Sequence, residues 1–350
     1  MKNQPLESIV RHRVGTARRS FRRARRRLRF AISPPPVILC YHRIFEPETD
    51  PHLLAVSPDH FRQQLEVVKR IAHPLSLDEL SLCLERGALP RRGVVVTFDD
   101  GYLDNLENAL PILRSAQVPA TIYIATGNVG LNCEFWWDDL ERLILTRDKL
   151  PRTVQLTVGG RSCEWAMGTD SEIDADWNVL APGDRIAHQQ IFCDLHTALR
   201  PVPAAQQREV LDQLRQLTGA SQEARPFYRC LTGPELETLA REPLITLGAH
   251  TISHCDLNAR TKAEQQAEIS GSKEQLEKII GRPVKHFSYP YGSCNDDSVA
   301  VCAENDFRSA VTCIDQPVDR NAPHHLLPRF LVRNWDGAEF ERRLQRFFRG

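Results

Sequence analysis

Thr97-Phe98-Asp99-Asp100-Gly101-Tyr102 follows directly on the apolar run Val94-Val95-Val96. The pattern is a buried strand that carries two adjacent carboxylates to its C-terminal end and then breaks at glycine. Neighbouring aspartates repel, and burying both unpaired is costly; a divalent cation relieves that cost. Asp-Gly is also ordinary turn chemistry, so the carboxylates alone decide little. The deciding partner lies about 150 residues further on, where the strand-like run Leu244-Ile245-Thr246-Leu247 precedes His250-Thr251-Ile252-Ser253-His254. Two histidines at i and i+4 share one face of a helical turn and can reach one metal ion. One aspartate and two histidines make an open three-ligand site that leaves a position for water.

Outward from these stretches, apolar strands alternate with amphipathic helices. Val37–Tyr41 reads as a strand, and Ser57-Pro58 starts a helix with Ser as N-cap and Pro in the first turn. Ser76-Leu77-Asp78-Glu79 is a capping box. Leu106, Leu110 and Leu113 line a helix that crosses to a strand at Ala120–Ala125. The same alternation resumes near residue 244, where Thr261-Lys262-Ala263-Glu264 caps a helix ending at Gly281 and strands follow at His286–Tyr289 and Ser309–Cys313. Such alternation means an α/β chain with a parallel sheet. It is interrupted from about 130 to 242 by an inserted α+β segment: an aromatic helix start at Glu134-Phe135-Trp136-Trp137, a hairpin turning at Gly159-Gly160, and helices over about 184–199 and 204–218.

A third block, Phe287-Ser288-Tyr289-Pro290-Tyr291-Gly292, completes a trio in fixed order. The trio resembles the polysaccharide deacetylases, the NodB-like carbohydrate esterase family 4, over roughly residues 37–128 and 240–335. The resemblance implies a distorted (β/α) barrel of the seven-stranded type and a hydrolase that removes an N-acetyl group from an amino sugar of a glycan or lipid-linked precursor. It also implies Asp100, His250 and His254 as metal ligands, Asp99 as general base, and the amide after Pro290, that of Tyr291, as an oxyanion donor, with Tyr289 beside it at the sugar. Zinc leads as the metal, although the ligand set also suits nickel or cobalt.

The chain departs from the family pattern twice. Many members carry Arg two residues before the third-block proline, where it orients the base; here Ser288 stands there, and Arg329, in Leu326-Leu327-Pro328-Arg329, is the replacement candidate. Members usually end with a Leu-His-x-His block that supplies the general acid. No such block is present, and His324 and His325 sit in a loop-like context. Val37-Ile38-Leu39-Cys40-Tyr41-His42 instead resembles the subgroup acting on poly-N-acetylglucosamine and related exopolysaccharides, which makes His42 either the acid or a strand cap. These departures keep two rivals open: an esterase or amidase with another target, and a catalytically silent glycan-binding protein.

With 41% hydrophobic and 26% charged residues, the chain is an ordinary globular protein. The formal net charge of zero conceals an asymmetry. Residues 1–36 hold Lys2 and ten arginines against Glu7, a net +10, so residues 37–350 carry −10. Three readings compete for residues 1–30: a solvated tail, a helix on an anionic membrane surface, or a nucleic-acid contact; nothing else in the chain supports nucleic acid. No apolar run there is long enough for a signal peptide or span. With ten irregularly spaced cysteines read as reduced, mostly buried thiols, this gives a cytoplasmic expectation, peripheral at the inner membrane face.

Overall fold

The computed structural model describes residues 30, 32–146, 150–166 and 174–350. The basic segment before residue 30 lies outside the described residues. Among these residues no helix is long and apolar enough to cross a membrane.

Seven parallel strands build the body: β1 (Val37–Tyr41), β2 (Gly93–Phe98), β3 (Ala120–Ile124), β4 (Ile245–Ala249), β5 (His286–Ser288), β6 (Ser309–Val311) and β7 (Phe330–Leu331). Their order is β6-β5-β4-β3-β2-β1-β7, with a two-residue strand, His73–Pro74, paired to the start of β2. Buried strands need no polar alternation, and β1, β2 and β3 are buried at every position. The edges of the sheet meet through a single segment. Residues 324–327 pair with β6, through Ala310 N–H to the His324 carbonyl (2.9 Å) and Thr312 N–H to that of Leu327 (2.8 Å). Three residues later the same segment pairs with β1, Leu39 opposite Phe330 and Cys40 opposite Leu331. Residues 324–331 are thus the seam that closes the barrel.

The helices follow their sequence signals. Ser57 caps Pro58–Ile71 and Ser76 boxes Leu77–Glu85. Thr261 boxes Lys262–Ile280, which ends on left-handed Gly281. The inserted segment contains helices Trp136–Ile144, Ala187–Leu199 and Ala204–Thr218 and the antiparallel hairpin Thr153–Val158/Arg161–Ala166. It has its own apolar core, built on Trp136, Trp137, Leu140, Phe192 and Leu211. Helix Gly233–Ala240, which the sequence pattern assigns to the insertion, buries Leu236 and Leu239 in the barrel core instead. The ten cysteines are free, but only four are buried, and Cys313 is exposed.

Candidate active site

Parallel strands present their C-terminal ends on one face, where loops are free of the sheet's hydrogen bonds. His42, Asp99 and His250 are the first residues after β1, β2 and β4. With Asp100, His254, Tyr291 and Cys313 they line one cavity of about 210 Å³, walled by Trp137, His52, Leu54 and His196.

Asp100 follows Asp99 in a left-handed conformation, φ 73°. This reversal turns consecutive carboxylates to different partners. Gly101 continues the turn at φ 76°, and a Cβ there would come within 2.7 Å of Ile124 Cδ1. Asp100 Oδ1 lies 3.2 Å from His254 Nε2 and 3.5 Å from His250 Nε2. The histidine pair is not on a helical turn. Thr251 and His254 both take left-handed φ, 62° and 54°, and the loop is held by Glu268, which accepts from the amides of Ile252 and Ser253 at 2.9 Å. The shared direction of the two rings therefore comes from a strained loop. Positive-φ residues recur at Tyr291, φ 58°, and such strain collects where function fixes the backbone.

The donor set fits a cation. His250 Nδ1 donates to the Ser288 carbonyl at 2.7 Å, and because a carbonyl only accepts, Nδ1 carries the proton. In the neutral tautomer this leaves Nε2 facing Asp100 with a lone pair. Asp100 Oδ1 is buried without a hydrogen-bond partner among the described residues, as is His254 Nδ1. The three ligand atoms lie within 4.8 Å of one another. Acceptors converging on acceptors need a proton or a metal ion between them. Burial pushes the Asp100 carboxyl up, but His254 and His250 outweigh it and hold Asp100 ionised, well below the usual carboxylate range. Burial also pushes His254 down, toward the neutral form a ligand requires.

Asp99 is engaged separately. Arg329, wholly buried, donates Nη1 to Oδ1 and Nη2 to Oδ2, both at 2.7 Å. Its remaining N–H groups go to Thr312 O (3.0 Å), Thr97 Oγ1 (3.1 Å) and Ser288 Oγ (2.9 Å), so all five donors are used. Ser288 Oγ also donates to Asp99 at 3.2 Å. Burial pushes Asp99 up, and Arg329 overcomes it and holds the carboxyl at about 2.

Tyr291 and Tyr289 part company. Tyr291 lines the cavity, its ring 4.7 Å from His254 and under the guanidinium of Arg200 at 4.4 Å. Tyr289 is fully buried in the barrel core, 5.2 Å from Phe287, and its hydroxyl donates to the His325 carbonyl at 3.0 Å. The expectation that Tyr289 meets the sugar is corrected on that ground. Side chains alternate along a strand; Ser288 points inward to Asp99, so Phe287 and Tyr289 point away. His325 is tied to the Phe307 carbonyl (2.7 Å), and neither it nor His324 lines the cavity, whereas His42 does.

Sequence reasoning gave no role to Trp137, His52, His196 or Cys313. Trp137 packs at a tilt against His254, ring centroids 4.6 Å apart, while its Nε1 donates to the Tyr102 hydroxyl at 2.8 Å. Nothing in the sequence marks His52. His196 was accessible, since Phe192, His196 and Arg200 follow one another at helical spacing.

The family model described as Polysaccharide deacetylase matches residues 86–147 and 217–310, leaving most of the inserted segment between the two parts. A curated relative, the poly-beta-1,6-N-acetyl-D-glucosamine N-deacetylase of Staphylococcus aureus (strain N315), is 39% identical over 77 residues, 22% of this chain and 27% of that protein. A putative polysaccharide deacetylase of Bacillus subtilis (strain 168), YxkH, is 26% identical over 102 residues, 29% of this chain and 36% of its own length. The chain thus matches only about a quarter to a third of the curated relatives' length. The likeness of fold extends further. The Streptococcus pyogenes deacetylase PplD superimposes with TM-score 0.55 at 18% identity, covering 90% of this chain and 98% of the other. IcaB from Ammonifex degensii gives 0.55 at 16%, covering 91% and 98%. The Asp-Asp, His-pair and Pro-Tyr-Gly blocks all lie inside the matched residues, and over those residues the chain is similar to the polysaccharide deacetylase family.

Proposed function

We propose that the protein is a metal-dependent N-deacetylase acting on an N-acetylated amino sugar of a glycan or glycan precursor. One observation carries the reading: the three-acceptor set Asp100, His250 and His254 lies beside a second, separately anchored carboxylate, Asp99, in one cavity. Amide hydrolysis needs an activated water, a base for its proton, a holder for the developing oxyanion and an acid for the leaving amine. Asp100, His250 and His254 would hold the ion, zinc before nickel or cobalt, and when bound it supplies Lewis acidity that activates water and polarises the acetyl carbonyl.

In this reading, Asp99 accepts the proton of the attacking water. Arg329 keeps it ionised and fixes both its oxygens. The backbone N–H of Tyr291 donates to the carbonyl oxygen as it gains charge; a backbone donor needs no reorganisation. His42 protonates the amine nitrogen as the C–N bond breaks, giving acetate and a free amine. The S. aureus relative's printed substrate, a β-1,6-linked N-acetylglucosamine polymer, is the first to try. Acetate release from such an oligomer by zinc-loaded protein, absent after chelation and restored by metal, is the expected result; equal release before and after chelation would sink the metal dependence.

We further propose that the arginine-rich residues 1–30 rest on an anionic membrane at its cytoplasmic face, each basic side chain contributing about 1 kcal/mol. Sedimentation of the full chain with anionic but not neutral liposomes, lost at high salt, supports this; binding indifferent to lipid charge removes it.

A further inference from the structure

The inserted helix Ala187–Leu199 falls between the two parts of the family match, yet it reaches the cavity. Phe192, His196 and Arg200 are spaced i, i+4 and i+8, so they form one stripe along it. Arg200 ends the stripe over the Tyr291 ring at 4.4 Å, with its Nε on Asp256 at 2.9 Å. Phe192 begins it, 5.3 Å from the ring of His52. Between them His196 faces His52 with ring centroids 4.3 Å apart, and Trp136 backs His196 at 5.0 Å. Both imidazoles line the catalytic cavity.

This pair has no function in the hydrolysis argued above. It is not a metal site, since the groups of possible ligands among the described residues are Asp100/His250/His254 and Cys40/His42/Asp99. Nor does either ring suit a proton donor, because burial pushes His52 down to about 4 and His196 to about 3. A neutral imidazole offers one N–H and one acceptor nitrogen, a match for a hydroxyl group. The Nε2 of His52 is buried without a hydrogen-bond partner among the described residues. A polar atom left so is costly until something bonds it, and His52 belongs to the wall of the proposed substrate cavity.

We infer that His52 and the insertion's His196 form a sugar-recognition pair that hydrogen-bonds hydroxyl groups of the amino sugar being deacetylated. The inference rests on the proposed deacetylase reading for its ligand class. It makes the insertion part of the substrate site, and the two histidines specificity-determining residues.

The test uses the full chain loaded with zinc and a β-linked N-acetylglucosamine oligomer. Binding is read by calorimetry, and acetate release is read separately. His196→Phe and His52→Phe keep the ring packing and remove the hydrogen bonding; His196→Asn restores a donor and an acceptor. Each Phe variant is expected to weaken oligomer binding and raise KM at least 10-fold, with kcat within about 3-fold, metal content unchanged and melting temperature near wild type. His196→Asn should recover part of the binding. Unchanged affinity in both Phe variants would overturn the inference and show that the rings only pack. So would failure of the wild type to bind the oligomer. Oligomer binding that depends on the histidines but yields no acetate would retain the pair and overturn the deacetylase reading.

Discussion

Arg329, on the seam of the barrel, grips Asp99 through two bonds of 2.7 Å that join residues 230 positions apart. A paired buried charge becomes a liability when either member is removed. Arg329→Met should therefore cost about 3–5 kcal/mol in urea unfolding. Arg329→Lys keeps the charge but loses the fork, so it should recover much of the stability while kcat stays depressed 10-fold or more. If the lysine variant is fully active, orientation of Asp99 by Arg329 is not what catalysis uses.

The ligand set and the base make separable predictions. Asp100→Ala, His250→Ala and His254→Ala should each lose bound zinc and all acetate release while the circular dichroism spectrum stays native. Asp99→Asn should retain zinc and lose activity, because Asp99 is held by Arg329 and Ser288 rather than by the triad. Full zinc occupancy in all three ligand variants, measured by elemental analysis, contradicts the site.

His42 lines the cavity and is the acid in the proposed reaction. His42→Ala should lower kcat by about 10²–10⁴-fold, the usual loss for a general acid. His324→Ala and His325→Ala should stay within a few-fold, as neither lines the cavity. Inactivity of a His324 or His325 variant beside a normal His42 variant reverses the assignment.

Behind Trp137 lies a group with a predictable pH signature. Asp138 accepts from the Tyr102 hydroxyl at 2.6 Å, and burial raises its carboxyl to about 7 despite Arg43 nearby. A folded value above the unfolded one means that the protonated form favours the fold. Its contribution is complete below about 4 and is lost as pH rises through about 7. The melting-temperature difference between wild type and Asp138→Asn should therefore shrink or reverse from pH 4 to pH 8. A difference constant across that range rules the titration out.

How much of this was legible in sequence varies with the range of the signal. Caps at Ser57, Ser76 and Thr261 act over three residues and landed where the letters put them. The buried runs of β1 and β2 needed only composition. The turn at His250–His254 was misjudged as helical because i, i+4 spacing does not report φ, and two left-handed residues perform the same convergence. Tyr289 was misplaced although strand alternation from Ser288 fixes its direction. Arg329 could be named as the residue to orient Asp99 only through the family resemblance, because the two-bond geometry depends on the seam, which no local pattern encodes. His52 was invisible for the same reason.

The seam also sets a timetable for synthesis. A chain emerging N-terminus first can complete β1 through β6, both aspartates and both histidines, and still lack the anchor of Asp99. That anchor arrives with residue 329, on the segment that bonds β6 and β1 together. Until then Asp99 has no guanidinium and the barrel has two open edges. A nascent chain would hold the three proposed metal ligands before it held an anchored Asp99, so the proposed hydrolysis would switch on with the last turn of the barrel rather than grow as the protein is made.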